Sequence, residues 1–588
     1  MRIARVQINN FRNFRSLDVT LGPHAVIVGE NRIGKSNFLY ALRLVLDPSM
    51  SDSTRQLREE DFWDGLPRPL GDSEAITITV DLADFDNNPV QLASLNDYLV
   101  QGEPTMVARL TYRFAREHNE DTGTDSFQFS IYGKDERDRS VRAQVRRRLP
   151  LDLLPALRDA EGDLANWRRS PLRALLEHAA VQIPEADLSD IGKDLTEATA
   201  KLTNQPAIAT LAGQITTQLR RFVGEHQMTA LQFALAPADP QRLIRALRVM
   251  IDEGKRGISE ASIGSANLIY LSLKLLELEQ LVQEGQRDHT FLSIEEPEAH
   301  LHPHLQRLVF RHFLRLGAQA GSTYLLLTTH SPHIASVAPL RTLVVLRAAA
   351  DHLSTEAVST AALELSDDDL NDLERYLDVT RGEMVFARGI LLVEGDAETF
   401  LVPTLAQLGG FDLDALGITV CSVAGINFRP YRKLLGGSGL DIPHAVLTDY
   451  DPQDDGAEAL GLSRVRGILR TDGLEDNAFM GNETAVAASR GIFLNGYTFE
   501  VDLFRAGAHE VMCEAIRELS TNGKAKERAA GWSADPATLD PKQFLKDIDG
   551  VSKGRFAQHL ATKIQNGQCP AYILNAIAYV VAKIRVQA

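Results

Sequence analysis

The chain has 588 residues, of which 44% are hydrophobic and 24% are charged, an ordinary composition for a globular protein of several domains. Acidic residues outnumber Lys and Arg by 79 to 62, which gives a net charge of −17 and excludes a protein that coats nucleic acid through an overall basic surface. The three cysteines are widely spaced, without a CxxC pair, which excludes a disulfide scaffold and a cysteine zinc cluster. We expect no signal peptide and no membrane span, and therefore a cytoplasmic protein.

The pattern of apolar residues divides the chain into four segments. Short strand-like runs and turns dominate residues 1–150, whereas residues 151–235 show helical spacing. Strand patterns return in residues 236–375 and again in residues 376–588. We therefore predict two α/β parts, the first of which is interrupted by a helical insertion. The insertion lacks the sustained heptads of a long coiled coil, so it is either a helical cap or a homodimerisation element.

A nucleotide-binding motif follows the first buried strand pattern. The sequence GENRIGKS at 29–36 fits G-x-x-x-x-G-K-[ST] between the apolar strand Ala25–Val28 and a helical pattern. In such a loop the backbone N–H groups surround phosphates, the lysine reaches the β- and γ-phosphates, and the serine hydroxyl binds Mg²⁺. The residues expected to bind ATP and its Mg²⁺ are Gly29, Asn31, Gly34, Lys35, Ser36 and Asn37.

A second apolar strand, FLSI at 291–294, ends in two carboxylates, Glu295 and Glu296. A P-loop enzyme needs one acid near Mg²⁺ and another that polarises the attacking water. We assign the first role to Glu295 and the second, catalytic role to Glu296. One strand later, His330 in TTHS can reach a γ-phosphate. Taken singly, an exposed acidic turn or a structural histidine would explain either feature as well.

The motifs FRNF, GENRIGKS, IEEPEAHLHP and TTHSPH, in this order, resemble the ABC-type ATPase heads of the SMC and RecF group. The resemblance covers most of residues 1–345 apart from the insertion. It implies that a signature containing serine and glycine contacts the nucleotide of an opposite head. The candidate is SIGS at 262–265, with Ser262 and Gly264 as nucleotide-binding residues, which is a loose match to the family's LSGGQ. Glu295 stands where the family usually has aspartate.

Acidic residues recur at strand ends in the C-terminal part. Glu394 ends the run ILLV, and Glu398 follows one helical turn later. Asp449 and Asp451 form a D-x-D pair after a second apolar run, and Glu500 follows a third. The carboxyl ends of neighbouring strands converge in an open α/β sheet, where gathered carboxylates repel one another unless cations lie between them. Such oxygen ligands suit Mg²⁺ or Mn²⁺; solvated acids that cap helices and turns are the alternative.

The patterns VEGDAE and DYD resemble a Toprim domain. Together with the ATPase motifs, the junction EMVFARGILLVEGDAE, TFEVDL and SKGRFA, they resemble the OLD (overcoming lysogenisation defect) nuclease family over nearly the whole chain. This resemblance implies two metal ions in the Toprim site and assigns catalytic roles to Glu394, Asp449 and Lys553, with Lys553 steadying the scissile phosphate. The metal ligands that it implies are Glu394, Glu398, Asp449, Asp451 and Glu500.

The leading hypothesis is an ATP-binding, metal-dependent DNA endonuclease or nickase in phage defence or DNA processing, with an ATPase head that regulates cleavage. The expected partners are DNA, a second or further copy of this chain, and a UvrD-like helicase, which some family members use, as in the Gabija system. Basic clusters at 142–148, 167–169 and 220–221 are candidates for DNA contacts, although a solvated helix face is the more common origin of such clusters.

Two other classes of function compete with this hypothesis. The main alternative is a RecF-like DNA-repair ATPase whose Toprim domain binds DNA without cutting it. Such a domain has no need of the full set of acids together with Lys553. A topoisomerase-like enzyme is a weaker alternative, because no tyrosine region accompanies the Toprim motifs.

Overall fold

The computed structural model describes residues 1–119, 124–156, 159–203, 205–223, 244–299, 301–320, 323–376, 382–437, 439–453 and 457–587. The chain divides into two compact units, which are described separately: Met1–Ala156 with Asp288–Ala588, and Leu157–Arg287. Among the described residues, no helix is long and apolar enough to cross a membrane.

The N-terminal residues form an antiparallel sheet that packs on a helix. The elements up to residue 156 are β1 (Arg2–Phe11), β2 (Phe14–Thr20), β3 (Ala25–Gly29), α1 (Lys35–Leu46), α2 (Asp52–Arg55), β4 (Ala75–Ala83), α3 (Pro89–Leu95), β5 (Leu99–Val100), β6 (Val107–Asn119), β7 (Thr124–Gly133), α4 (Ala143–Arg148) and β8 (Leu151–Leu154). The sheet order is β2-β1-β4-β6-β5, with β7 also paired to β6. Period-2 alternation turns Val6 and Ile8 inward, and a shift in register between Ile3 and Arg5 brings Ile3 to the same face. All three residues join one core with Phe38 and Leu42 of α1.

The second unit is mainly helical where it is described. Its elements are α5 (Ala160–Ala165), α6 (Leu172–Val181), α7 (Glu185–Thr203), α8 (Pro206–Val223), β9 (Met250–Ile251), β10 (Arg256–Gly257) and α9 (Ile263–Gln283). The two short strands pair antiparallel. The expected domain boundary between 235 and 236 lies outside the described residues.

A central, largely parallel sheet is completed by the elements that follow. These are β11 (Thr290–Glu295), α10 (Pro303–Ala320), β12 (Thr323–Thr329), α11 (Pro332–Ala335), β13 (Leu343–Ala348), β14 (Thr355–Ser359) and α12 (Asp367–Tyr376). The strand order is β14-β13-β3-β12-β11-β8; the β13–β14 pairing is antiparallel and the others are parallel. β8 belongs to this sheet, although it lies within the segment 151–235 that we predicted to be helical.

The C-terminal part is a second parallel sheet surrounded by helices. Its elements are β15 (Gly389–Val393), α13 (Asp396–Leu408), α14 (Leu413–Leu416), β16 (Ile418–Ser422), α15 (Arg429–Leu435), β17 (His444–Thr448), α16 (Leu460–Thr471), α17 (Glu483–Ser489), β18 (Ile492–Leu494), α18 (Phe499–Leu503), α19 (His509–Leu519), α20 (Gly523–Ala534), α21 (Pro541–Asp549), α22 (Lys553–Ala561) and α23 (Ala571–Gln587). The order is β16-β15-β17-β18, all parallel.

Strand order in this second sheet reverses between β15 and β17. β15 connects forward to β16 on one side, and the chain then returns to β17 on the other side. Loops that leave the carboxyl ends of these two strands therefore diverge and open a crevice, which is where ligands bind in open α/β sheets. All five residues of β15 are buried, the continuous apolar pattern of a parallel strand covered on both faces.

Candidate functional site

Lys35 lies in a pre-formed P-loop between β3 and α1. Gly34 starts the helix with a φ of 101°, a left-handed conformation that favours glycine. The buried Lys35 Nζ donates to the carbonyl oxygens of Gly29 and Glu30, both at 3.0 Å. Burial lowers the pKa of Lys35, against the opposing charges of Glu296 and Glu298. A buried ammonium that is held by neutral carbonyls has a strong electrostatic preference for an anionic phosphate.

His330 links Lys35 to Glu296. Because β12 lies between β3 and β11, the residues that follow β12 and β11 fall beside the P-loop. His330 Nδ1 lies 3.4 Å from Lys35 Nζ, and His330 Nε2 lies 3.2 Å from Glu296 Oε1. Glu296 has a φ of 40°, a strained backbone of the kind that clusters at functional sites. The structure thus brings together three residues that the sequence predicted for the nucleotide site, with Glu295 at the end of β11.

Glu298 is a member of this site that the sequence analysis missed. Its Oε1 accepts hydrogen bonds from the Thr329 hydroxyl and the His330 backbone N–H, both at 2.8 Å. Glu298 therefore fixes the loop that carries the histidine. The signal was present in the motif IEEPEAH, but the spacing alone did not separate this acid from a solvated one.

The FRNF turn between β1 and β2 braces the P-loop. Asn13 Nδ2 donates to the Ile33 carbonyl at 2.9 Å, and Asn37 Nδ2 donates to Asn13 Oδ1 at 2.7 Å. Arg12 Nη1 donates to Asn37 Oδ1 at 2.8 Å. A Cβ on Gly34 would lie 2.1 Å from Asn13 Nδ2, so the close approach requires glycine. Asn37, which we predicted to bind nucleotide, has its amide engaged in this brace.

The other residues predicted to bind nucleotide lie in the P-loop and at the start of α9. Ser36 and Asn31 are exposed at the loop, in keeping with their predicted roles. In the second unit, the Ser262 hydroxyl caps α9 by accepting from the Ser265 N–H at 3.1 Å, and Gly264 lies in the first turn of that helix. Their contact with a nucleotide of an opposite head stays a prediction.

Two substitutions test the P-loop. We expect Lys35→Ala to weaken ATP binding by about 100-fold or more, since it removes a charge-assisted contact to phosphate. Glu296→Gln should leave binding near the wild-type level and slow hydrolysis, because Glu296 is expected to act on water rather than on the bound nucleotide. Equilibrium titration with a fluorescent ATP analogue and a phosphate-release assay measure the two effects. Wild-type affinity in Lys35→Ala would contradict the assignment.

The crevice of the second sheet carries the acids that follow β15 and β17. Glu394 Oε1 accepts from the Thr448 hydroxyl at 2.5 Å and from the Asp449 backbone N–H at 2.9 Å. The two strand ends are therefore tied together by the first acid of the site. Asp449 Oδ1 accepts from Asn495 Nδ2 at 2.6 Å and from the Phe499 N–H at 2.9 Å, which fixes the second.

Arg464 on α16 bridges two of these acids and was not predicted. Its Nη1 donates to Glu394 Oε1 at 2.6 Å, and its Nη2 donates to Asp451 Oδ2 at 2.9 Å. Asp451 has a φ of 49°, again a strained backbone for a residue other than glycine. No sequence motif pointed to Arg464, because its position follows from the packing of α16 against the loop after β17.

Glu500 and Lys553 meet at the same crevice from two helices. The buried Glu500 lies in α18, and its Oε1 is 3.2 Å from Lys553 Nζ at the start of α22. Burial lowers the pKa of Lys553, but the attraction of Glu500 outweighs it and the net shift is upward. Lys553 therefore remains a cation beside the acids. Ser552, the residue before it, has a φ of 78°.

The acids of the crevice repel one another. Burial and the neighbouring carboxylates, Glu394 first among them, raise the pKa of Asp449 to about 8. Burial, together with the charges of Glu500 and Glu394, raises the pKa of Glu398 to about 7. Near neutral pH and without a cation, Asp449 therefore favours its protonated form and Glu398 is present in both forms, whereas a bound cation would favour the charged forms of both acids.

The donor set fits a hard divalent cation in chemistry, although its side chains are engaged elsewhere in this arrangement. Within the described ranges, no three His, Cys, Asp or Glu side chains already converge on a single metal position. Glu394 and Asp451 are paired with Arg464, and Glu500 is paired with Lys553. The acids nevertheless supply only oxygen atoms, the ligands that Mg²⁺ and Mn²⁺ prefer. A cation bound between them would also relieve their mutual repulsion.

Two protein-family models match successive parts of the chain. Residues 1–136 and 156–335, more than half of the chain, match the model for the AAA ATPase domain. The chain belongs to this AAA ATPase family. Residues 385–451, which include Glu394, Glu398, Asp449 and Asp451, match the model for the TOPRIM domain of overcoming lysogenization defect protein-like proteins. The predicted fold class, an ABC-type P-loop ATPase head with a helical insertion followed by a Toprim domain, is confirmed, as is the resemblance to the OLD family.

Named relatives cover most of the chain. The OLD nuclease of Thermus scotoductus is 27% identical over 482 residues, which are 78% of this chain and 84% of that protein. Endonuclease GajA of Bacillus cereus strain VD045 is 23% identical over 493 residues, 81% of this chain and 80% of that protein. A solved structure, the C-terminal region of the Burkholderia pseudomallei OLD protein, is 43% identical and covers 34% of this chain and 99% of that chain, with a TM-score of 0.32.

Proposed function

We propose that this protein is an ATP-binding, divalent-metal-dependent DNA endonuclease or nickase whose ATPase head regulates cleavage. The observation that carries the proposal is the crevice between β15 and β17, where Glu394 and Asp449 lie beside further carboxylates and two paired cations, Arg464 and Lys553. A domain that only binds DNA gains nothing from buried acids, because they repel the phosphate backbone. The names of the relatives, nuclease and endonuclease, support the same conclusion.

Each polar group of the crevice has an expected role in phosphodiester hydrolysis. Glu394, Glu398, Asp449, Asp451 and Glu500 are the residues that would hold two divalent cations. Such cations supply activation of water at neutral pH and neutralise charge on the phosphate. Lys553 is already charged and beside the acids, so its ammonium can stabilise the negative charge that grows on the phosphate oxygens. Asn495 and Thr448 orient Asp449 and Glu394 through the hydrogen bonds described above.

A direct structural route connects the nucleotide site to this crevice. Arg347 lies on β13, whose residue Leu346 pairs with Gly29 of the P-loop strand. Arg347 Nη1 donates to the Asp441 carbonyl at 2.6 Å, and Nη2 lies 3.1 Å from Asp441 Oδ2. Asp441 lies just before β17, the strand that leads to Asp449. A movement of the P-loop strand would be transmitted through these contacts to the segment before β17, and this possibility supports the proposed regulation by the ATPase head.

Three finer points of the proposal rest on the family resemblance. They are the use of Mg²⁺ or Mn²⁺, assembly as a homodimer or higher oligomer, and a role in phage defence or DNA processing that includes a UvrD-like helicase partner in some members. The domain boundaries at 150, 235 and 375 are likewise part of the proposal.

Plasmid cleavage tests the proposed active site. We expect Glu394→Gln and Asp449→Asn to abolish nicking of supercoiled plasmid in Mg²⁺ or Mn²⁺, since both changes keep size while removing charge. Lys553→Ala should slow the reaction by about 10²–10³-fold, the usual effect of one lost transition-state contact. Asp396→Asn is the matched control, because this acid lies in the same VEGDAE motif but is exposed.

The same assay separates the two main hypotheses. The variants should keep wild-type ATP affinity, and EDTA should stop cleavage by the wild type. If Glu394→Gln and Asp449→Asn cut at the rate of Asp396→Asn and wild type, the nuclease proposal fails. A RecF-like protein that binds DNA without cutting it would then be the better description.

Regulation is tested with Arg347→Ala. We expect the ratio of plasmid cleavage rates measured with and without a non-hydrolysable ATP analogue to move towards one, because the link between β13 and Asp441 is lost. Basal cleavage without nucleotide should persist. Arg470→Ala serves as the control, since Arg470 pairs with the exposed Asp476 on the surface of the Toprim domain. An unchanged ratio in Arg347→Ala would exclude this route.

A further inference from the structure

An arginine-lined pocket lies on the ATPase head away from the P-loop. It has a volume of about 250 Å³ and is formed by the segment after α1, by α2 and by α4. Its polar lining comes from Arg55, Arg146, Arg147, Ser51 and Asp52. Arg146 and Arg147 belong to the basic cluster at 142–148, to which the nuclease site assigns no task.

Arg55 forms the positively charged floor of this pocket. The residue is 2% exposed, and its guanidinium donates to the carbonyl oxygens of Leu44, Met50 and Asp47. These carbonyls satisfy its hydrogen-bond donors. The carboxylate of Asp47 partly offsets the charge of Arg55, although Asp47 is itself paired with Arg43 and does not line the pocket. Among the described residues that line the pocket, Asp52 is the one acid; its carboxylate is 87% exposed and 3.9 Å from Arg55, so solvent screens much of its charge.

Arg146 also lines the pocket, and two of its hydrogen-bond donors lack partners among the described residues. Its Nε and Nη1 atoms are buried and have no hydrogen-bond partner among the described residues. Burial, with the nearby charge of Arg55, lowers the pKa of Arg146. Buried donors of a charged group are normally paired, and leaving them unpaired costs free energy. Arg55 and Arg146 place two positive charges around one cavity, which favours the binding of an anion there.

The geometry of the guanidinium N–H groups favours phosphate as the anion. A guanidinium presents parallel N–H groups that match two oxygens of a phosphate. The described part of the pocket lining has no aromatic side chain on which a base could stack, which argues against a second nucleotide site. Arg147 on α4 and Arg142 just before it are exposed, so neighbouring phosphates of an extended strand would also meet positive charge. Arg148, by contrast, is already paired with Asp288.

We propose that the pocket between α2 and α4 binds a backbone phosphate of DNA through Arg146, with Arg147 contacting the strand beside it. This inference rests on the proposed nuclease function, because it names where the ATPase head holds the substrate of that activity. It also explains how a chain with a net charge of −17 can attract a polyanion: contacts to phosphates provide most of the affinity, and they need only a few well-placed cations.

The test measures binding of a short fluorescein-labelled duplex by the full chain in Ca²⁺, which neutralises carboxylates as Mg²⁺ does. Arg146→Ala should weaken binding by about tenfold, and the slope of log affinity against log salt should become shallower by about one. Arg146→Lys should retain the slope and lose part of the affinity, because it keeps the charge without the fork. Arg137→Ala, which removes an exposed arginine outside the pocket, should change neither quantity.

Thermal melting and phosphate titration distinguish DNA binding from a structural role of Arg146 and from a site for small anions. Arg146→Ala should melt at or above the wild-type temperature, since it removes an unpaired buried charge; a lower melting temperature in both Arg146 variants would indicate a structural role and overturn the inference. Inorganic phosphate that stabilises the wild type while DNA affinity is unchanged in Arg146→Ala would indicate a small-anion site and also overturn it. If Arg146→Ala binds DNA with wild-type affinity, the proposed phosphate site is wrong but the nuclease proposal stands. If the wild type does not bind DNA, both proposals are wrong.

Discussion

Repulsion between acids at the carboxyl ends of β15 and β17 is the constraint on which the C-terminal half depends. The neighbouring parallel strands β15 and β17 bring Glu394 within hydrogen-bonding distance of the Asp449 backbone N–H, and burial together with the charge of Glu394 raises the pKa of Asp449 to about 8. A fold that needed stability alone would have no use for such a cluster. Arg464 and Lys553 offset part of the negative charge, and the remainder is the electrostatic basis for the proposed metal binding.

The ATPase head is organised by the same geometric rule. In its sheet, β12 and then β11 follow the P-loop strand β3, so the ends of these parallel strands place His330 and Glu296 beside Lys35. β13 also carries Arg347, which reaches the loop before β17. Arg347 is one of the contacts between the two parts, alongside the ion pair of Lys433 with Asp369, and the proposed regulation runs through it.

Much of this arrangement was predictable from the sequence, because buried parallel strands read as continuous apolar runs and because P-loop and acid motifs sit at fixed positions after them. The residues that were missed share a different origin. Arg464 reaches the acids from a helix 15 residues after Asp449 along the chain, and Asn13 reaches the P-loop from a hairpin turn. Such contacts depend on tertiary packing, which period and spacing do not encode. The same holds for β8, a four-residue strand too short to show a period against its helical neighbours.

Anomalous diffraction from crystals soaked in Mn²⁺ tests most directly whether the crevice between β15 and β17 holds divalent cations. We expect anomalous density in contact with carboxylate oxygens of Glu394 and Asp449, and its loss in crystals of Asp449→Asn. Crystals that bind Mn²⁺ elsewhere, with no anomalous density at these two acids, would show that the crevice is not a metal site.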